Sequence, residues 1–276
     1  MKKLWPQLQL FLKGIAIGIA TLVPGVSGGT MAILLGVYDR MIHAVSSLWK
    51  NLKANLCFLG ILGCGGLVGI LLFSRLLEWA MASFHFPMIY LFLGIICGGI
   101  PVLYRKTRTP GRKLSDLLYL AVGAVLVVLM TMQPTTLFQL ATGNGWLNAV
   151  FLVFAGVIVA VALILPGIST SFMLLMLGLY DLTLDAVNTL NLFYLVPLLG
   201  GVLLGVLGTA RILENLLNKY PEKTYMLILG FVLGSLPEVF PGIPQDIATI
   251  IFSLLAFALG FSLIRLMQFV DPEANS

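Results

Sequence analysis

The sequence predicts an all-α polytopic membrane protein of two inverted repeats, each a re-entrant helical hairpin followed by three transmembrane helices. Hydrophobic residues make up 59% of the 276 residues and charged residues 10%, whereas soluble domains carry about 25% charged residues. Motifs of the first half recur in the second half, and each copy begins with a Pro-Gly pair that interrupts a helix. An apolar, internally duplicated chain with broken helices is typical of secondary transporters.

Three motifs define the duplication. The residues at 23–30, 36–39 and 75–78 match those at 165–172, 178–181 and 211–214. The first motif is Val-Pro-Gly-Val-Ser-Gly-Gly-Thr, and its copy is Leu-Pro-Gly-Ile-Ser-Thr-Ser-Phe. The second motif is Gly-x-Tyr-Asp and the third is Arg-x-x-Glu in both halves. Because the first two motifs keep a constant offset of 142 residues, we predict two structurally related halves.

Each repeat is predicted to contain one hairpin and three spans, in that order. Repeat 1 (residues 1–135) comprises the hairpin 8–45 and the spans 54–80, 87–104 and 115–133. Repeat 2 (residues 136–276) comprises the hairpin 146–187 and the spans 191–217, 224–239 and 246–268. We expect the two repeats to form one integrated membrane domain. Glycines four residues apart in four of the spans should let helices pack closely; they are at 65/69, 94/98, 201/205 and 230/234.

The hairpins are predicted to be re-entrant because their second arms are short. Residues 30–37 and 172–179 each supply one apolar stretch before a Tyr-Asp pair. Each stretch would form about 12 Å of helix at about 1.5 Å per residue, whereas a span needs about 20 residues. The predicted hairpin breaks are Pro24, Gly25, Pro166 and Gly167.

The distribution of positive charge predicts the orientation. Three spans per repeat is an odd number, so the second repeat should be inverted relative to the first. Of the 16 Lys and Arg residues, all except Arg75 and Arg211 fall on the side that holds the N terminus. Because positively charged loops face the cytoplasm, we expect cytoplasmic N and C termini.

The hairpin tips are the predicted binding site for an anion. Serine is a good N-cap, so the second arms should start after Ser27 and Ser169 with free N–H groups and a positive dipole end. Glycine lets the backbone approach a bulky group such as phosphate, and hydroxyl groups add donors. A self-capped tip that only packs is the structural alternative. The predicted substrate-binding residues of the tips are Ser27, Gly28, Gly29, Thr30, Ser169, Thr170 and Ser171.

Two further sets of charged residues are candidates. Arg75 and Arg211 lie inside spans, where charge is costly and commonly functional, so we predict that they also bind the substrate. Glu78 and Glu214, three residues later on the same helix face, would pair with them; alternatively, the pairs are neutralised and lie near the membrane interface. Asp39 and Asp181, which close the short arms, are candidates for coupling or for a structural role.

No metal site is expected from the cysteines and histidines. Cys57, Cys64 and Cys97 show no metal-binding or disulfide spacing, and we interpret them as small apolar residues within helices. His43 and His85 are too far apart in the sequence to suggest a ligand set.

The duplicated tips, the Gly-x-Tyr-Asp pairs and the twin Arg-x-x-Glu motifs resemble the bacterial polyprenyl-phosphate transporter family over nearly the whole chain. The resemblance implies a flippase in the bacterial cytoplasmic membrane that carries undecaprenyl phosphate or a related polyprenyl phosphate and recycles this carrier for cell-envelope synthesis. It implies a lipid partner, with no nucleic acid, no cofactor and no enzyme activity. Because Thr170-Ser171 replaces Gly28-Gly29 in the second copy, the equivalence of the two tips stays open.

Two alternatives remain at this stage. The tips also resemble those of undecaprenyl-pyrophosphate phosphatase, whose motif continues Ser-Arg-Ser and is accompanied by a glutamate cluster. Here Gly28 and Thr170 occupy the arginine position, and segments 8–23 and 146–165 contain no glutamate. Hydrolysis would therefore lack a cation for the phosphates and a carboxylate for proton transfer. The second alternative is an exporter of a small anion, which the same short arms could serve.

Overall fold

The computed structural model describes residues 4–23, 26–107, 116–131 and 146–270, which form twelve α-helices and no strands. The helices of the first half are α1 (Leu4–Thr21), α2 (Gly28–Leu34), α3 (Tyr38–Ser46), α4 (Leu52–Ser83), α5 (His85–Lys106) and α6 (Asp116–Thr131). Those of the second half are α7 (Trp146–Ile164), α8 (Thr170–Met176), α9 (Tyr180–Asn188), α10 (Leu192–Lys219), α11 (Pro221–Val239) and α12 (Ile247–Val270). The predicted all-α fold is confirmed.

The helix order of the first half is repeated in the second half. In each half a long helix is followed by two short helices, of seven and nine residues, and then by three more long helices. The predicted boundary between the repeats, at residues 135 and 136, lies outside the described residues, as do Pro24 and Gly25.

Several helices are suited to cross a membrane. Within the described residues, α4, α5, α7, α10 and α12 are long and apolar enough, and the α8–α9 pair would make a sixth span if taken together despite its bend of 109°. The chain is therefore a multi-pass membrane protein, as predicted. The sequence assigned α7 to a hairpin arm, although its length permits a crossing. Two of the predicted spans do not qualify by length and composition: α6 has only 16 residues, and α11 carries three charged residues, Glu222, Lys223 and Glu238.

Four helix pairs carry most of the packing, and the predicted glycine pairs lie in each contact. Gly65 and Gly69 pack against the backbone of α1, and the glycines at 201 and 205 pack against α7. The glycines at 94 and 98 pack against α12, and those at 230 and 234 pack against α6. A Cβ atom at these positions would collide with the neighbouring helix, so the predicted close approach is confirmed. Two of these pairs, α5–α12 and α6–α11, join different halves.

The short helices end and restart at glycines with positive φ. Gly36 has φ 70° and Gly178 has φ 68°, a backbone conformation that glycine adopts at little cost. Asp39 and Asp181 therefore lie in the first turns of α3 and α9 and do not close the preceding helices. A carboxylate in a first helical turn is favoured by the exposed N–H groups.

The first pair of short helices is more deeply buried in the protein core than the second pair. Six of the seven residues of α2 are buried, from Gly29 to Leu34. In α8 only Met173 is buried. Tyr38 and Ile42 of α3 are among the largest fully buried side chains. The two copies thus share a helix order but occupy different environments.

Candidate functional site

The loops that lead into α2 and α8 lie against each other; we call residues 26–30 the first junction and residues 166–171 the second junction. The Gly167 N–H donates a hydrogen bond to Thr30 Oγ1 over 2.9 Å, between residues 137 apart in sequence. Beside it, the Tyr38 hydroxyl donates to the Ile164 carbonyl over 2.8 Å. A Cβ atom on Gly29 would lie 3.4 Å from the Pro166 Cα. The structure thus brings predicted residues of both hairpin tips together.

The first junction is covered by protein. Ser27 is 7% exposed and Thr30 is 2% exposed. Ser27 is the N-cap residue of α2, as predicted, but its hydroxyl makes no capping hydrogen bond. A Cβ atom on Gly28 would lie 2.8 Å from Thr21 Cγ2. Glycine at this position therefore lets α2 pack against the end of α1.

The second junction is more accessible. Ser169 is the N-cap residue of α8, and its Oγ accepts a hydrogen bond from the Phe172 N–H over 3.4 Å. Ser169 and Thr170 are partly exposed and Ser171 is exposed. Gly167 has φ 81° and packs on Phe231 of α11. Three hydroxyl groups therefore lie within one turn of the start of α8, where a polar group could reach them.

The two arginines remain exposed. Arg75 lies on α4 and Arg211 on α10, and among the described residues neither forms an ion pair with the glutamate three positions later. Glu78 is exposed. Glu214 is 19% exposed in its side chain and is bound elsewhere: it accepts a hydrogen bond from the Ser46 hydroxyl and contacts His43 Nδ1. Glu214 therefore links α10 to α3.

Comparison with known proteins identifies the family. The model of the undecaprenyl phosphate translocase-like family matches residues 17–253. The chain belongs to this family. The family resemblance predicted from the duplicated motifs is thus confirmed.

Two relatives support membership of the translocase-like family over most of the chain. A protein of Vibrio cholerae serotype O1 named polyprenyl-phosphate transporter is 35% identical over 248 residues, which cover 85% of this chain and 78% of that protein. A protein of Staphylococcus aureus with the same name is 35% identical over 260 residues, which cover 91% and 92% of the two chains. No solved structure matches the chain.

In this member of the translocase-like family, Asp39 links three helices. Its Oδ2 accepts hydrogen bonds from Lys106 Nζ of α5 over 2.9 Å and from the Tyr225 hydroxyl of α11 over 2.6 Å. Lys106 Nζ also lies 5.4 Å from the centroid of the Tyr225 ring. The corresponding Asp181 is exposed and has no such partner among the described residues. The first copy therefore holds its aspartate in a network that the second copy lacks.

The sequence did not indicate the partners in these networks. The sequence assigns His43 to no ligand set, and Ser46, Lys106 and Tyr225 belong to no repeated motif. Their partners lie far away in the chain: Tyr225 and Asp39, for example, are 186 residues apart. One signal was present, because a glutamate or aspartate inside an apolar segment requires a donor nearby.

Proposed function

We propose that this protein is a flippase that carries undecaprenyl phosphate, or a related polyprenyl phosphate, across the bacterial cytoplasmic membrane and so recycles the lipid carrier for cell-envelope synthesis. The observation that carries this proposal is the contact between the two junctions, beside the accessible hydroxyls of the second. Family membership supports the substrate class, because both relatives are named polyprenyl-phosphate transporters.

We infer two inverted repeats, each with a re-entrant hairpin. The repeated helix order supports the duplication. The seven residues of α2 and of α8 correspond to about 10 Å of helix, about a third of a hydrocarbon core. The bend of 109° between α8 and α9 further supports an arm that turns back. In this arrangement both termini face the cytoplasm, and the two junctions meet within the membrane.

The phosphate headgroup would be held at the second junction. Ser169, Thr170 and Ser171 offer hydroxyl groups, and the first N–H groups of α8 add donors. Since α8 has only seven residues, its dipole is small, and the hydroxyl and N–H groups would contribute more to phosphate binding than the dipole does. Ser27 and Thr30 of the covered first junction would support the site from behind. The prenyl chain would remain among the lipid chains, because its hydrophobic surface is more stable there than in a polar passage through the protein.

Arg75 and Arg211 would receive the headgroup on opposite sides of the membrane. Both guanidinium groups are exposed, and the described residues include no carboxylate paired with them. An arginine can bind a phosphate through two parallel hydrogen bonds. Because Glu214 is already bound to Ser46 and His43, it would leave Arg211 available for this task.

A transport assay tests the proposal. Purified protein would be reconstituted into vesicles that contain a fluorescent polyprenyl phosphate, and the fraction protected from an impermeant quencher would be followed in time. We expect wild-type protein to move the lipid between leaflets. Arg75→Ala and Arg211→Ala should each slow transport at least tenfold with little loss of folded protein, because they remove a headgroup ligand but no buried contact.

Lys53→Ala, which removes an exposed cation at the start of α4, serves as the charge-matched control. Movement no faster than in protein-free vesicles would contradict the proposal. Release of inorganic phosphate from a prenyl pyrophosphate by the purified protein would favour the phosphatase instead. Flux of a soluble anion that added polyprenyl phosphate does not reduce would favour the small-anion exporter.

A further inference from the structure

A pocket lies away from the junctions, where three helix ends meet. It has a volume of about 410 Å³, within the range of about 300–1,000 Å³ that is usual for small-molecule sites. It lies at the start of α6, the end of α10 and the start of α11. The lining residues are Tyr119, Leu216, Tyr220, Lys223, Thr224 and Leu227.

The pocket is separate from the second junction. The second junction contacts α11 through Gly167 and Phe231, and Phe231 lies eight residues beyond Lys223. This spacing corresponds to about 12 Å along the helix. Of the three helices, α10 is long and apolar enough to cross a membrane. Because such helices end near the lipid headgroups, we place the pocket at the depth of those headgroups.

One positive charge dominates the pocket. Lys223 Nζ lies 5.5 Å from the ring centroid of Tyr119 and 5.6 Å from that of Tyr220. Faces of aromatic rings attract a cation without neutralising it. In the part of the chain that the structure describes, no carboxylate forms an ion pair with Lys223, and the neighbouring Glu222 is not among the lining residues. The ammonium group is thus positioned by two rings and retains its charge for an anion.

The surroundings of this cation suit a lipid better than a soluble anion. Leu216 and Leu227 give the pocket an apolar wall. Leu117 and Leu118, next to Tyr119 on α6, are 40% and 65% exposed, so an apolar surface begins beside the pocket. A ligand with a charged head and a hydrocarbon chain would satisfy both surfaces at once.

We propose that this pocket binds the phosphate headgroup of a lipid at the membrane interface. Lys223 is the principal ligand, Tyr119 and Tyr220 hold its ammonium group in place, and the chain of the lipid lies along α6. The lipid-borne phosphate can come from a polyprenyl phosphate or from an anionic phospholipid. The site would exist even if the protein carried no polyprenyl phosphate across the membrane.

Native mass spectrometry of the full-length protein in detergent tests this site. Polyprenyl phosphate, phosphatidylglycerol, phosphatidylcholine and inorganic phosphate would be titrated separately. Lys223→Gln should weaken binding of the anionic lipids about fivefold, as expected for the loss of one interfacial charge. Lys219→Gln is the matched control: Lys219 Nζ also lies over the Tyr220 ring, at 5.2 Å, but does not line the pocket. Its effect should stay below about twofold.

Three further variants separate a specific pocket from a general loss of structure. Lys223→Arg keeps the charge and the contact with the rings, so binding should be retained. Tyr119→Phe keeps the ring face and should bind normally, whereas Tyr119→Leu should weaken binding about threefold through loss of the cation–π contact. A thermal unfolding curve of each variant would accompany the titration.

The titrations test whether the pocket binds a lipid phosphate and which kind of lipid supplies it. Preference for polyprenyl phosphate would make the pocket a docking place for the transported lipid, and equal binding of phosphatidylglycerol would make it a general site for anionic lipids. The proposed lipid site would be contradicted if Lys219→Gln and Lys223→Gln weakened lipid binding equally. It would also be contradicted if inorganic phosphate bound as tightly as either lipid. Loss of lipid binding with normal transport would leave the proposed function intact.

Discussion

The first and second junctions belong to two copies of one motif but differ in what covers them. Ser27 and Thr30 of the first junction are buried, and Thr30 accepts the hydrogen bond from Gly167. Ser169 and Thr170 of the second junction are partly exposed, and Ser171 is exposed. The duplication thus yields one junction that is buried and hydrogen-bonded to the other copy, and a second junction whose hydroxyl groups are more accessible.

Differences in side chains between the copies account for this contrast. Both copies keep an N-cap serine and a glycine with positive φ after the short helix, so the backbone follows a similar path from that serine to that glycine. Gly29 and Thr30, however, correspond to Ser171 and Phe172. The small Gly29 allows close contact with Pro166. The two copies therefore share the residues that start and end the short helix, while the residues that pack around it differ.

The largest effect is expected where the second junction contacts α11. Gly167→Ala would place a Cβ atom 2.5 Å from the Phe231 carbonyl carbon, at a φ of 81°. Backbone strain and overpacking together should reduce the free energy of unfolding by roughly 3 kcal/mol or more, seen as loss of folded protein after detergent extraction. Gly242→Ala, at φ 85° with no atom within 4 Å, isolates the strain and should cost about 1 kcal/mol. Equal losses in both variants would mean that the contact with Phe231 contributes nothing.

The next effect separates the roles of the two junctions. Thr30→Val would leave the buried Gly167 N–H without its acceptor and should lower the free energy of unfolding by about 2 kcal/mol. Thr30→Ser keeps the acceptor and should cost less. Ser171→Ala removes an exposed hydroxyl, so stability should change by less than about 0.5 kcal/mol while transport falls. Thermal unfolding and the vesicle assay measure both quantities. The comparison fails if Ser171→Ala destabilises the protein as much as Thr30→Val does.

A smaller effect is expected at Tyr38 and at Tyr180, which occupies the corresponding position in the second copy. Tyr38→Phe removes the hydrogen bond to the Ile164 carbonyl, at a cost of about 1 kcal/mol; an unpaired carbonyl is tolerated better than an unpaired N–H. Tyr180→Phe should leave the unfolding temperature unchanged, because Tyr180 is partly exposed and donates no hydrogen bond that the described residues record. A lower unfolding temperature for Tyr180→Phe alone would reverse the expected contrast.

Much of the fold was predictable from local patterns. Apolar composition predicted a helical membrane protein, and the glycines at 65/69 and 201/205 predicted helices that pack closely. Ser27 and Ser169 were expected to start the short helices, and they do. Each of these signals acts within a few residues, which is why the sequence alone reveals it.

Long-range contacts and exposure could not be predicted in the same way. The hydrogen bonds of Tyr38 with Ile164 and of Thr30 with Gly167 join residues 126 and 137 positions apart. Nothing near Thr30 in the sequence indicates that it faces the other copy. Composition also does not distinguish a crossing helix from a long hairpin arm, so α7 satisfies the requirements of both. These features depend on how the two halves pack together.

The most direct test of the account is the rate at which polyprenyl phosphate crosses vesicles that contain the combined variant Ser169→Ala, Thr170→Val and Ser171→Ala. These three substitutions remove the accessible hydroxyls and leave the buried first junction unchanged. We predict transport at least tenfold slower than wild type, whereas stability should fall only by the roughly 1 kcal/mol that the lost Ser169 cap of α8 costs, a loss that Ser169→Ala alone measures. Wild-type transport by this variant would contradict the central claim that the second junction holds the phosphate headgroup.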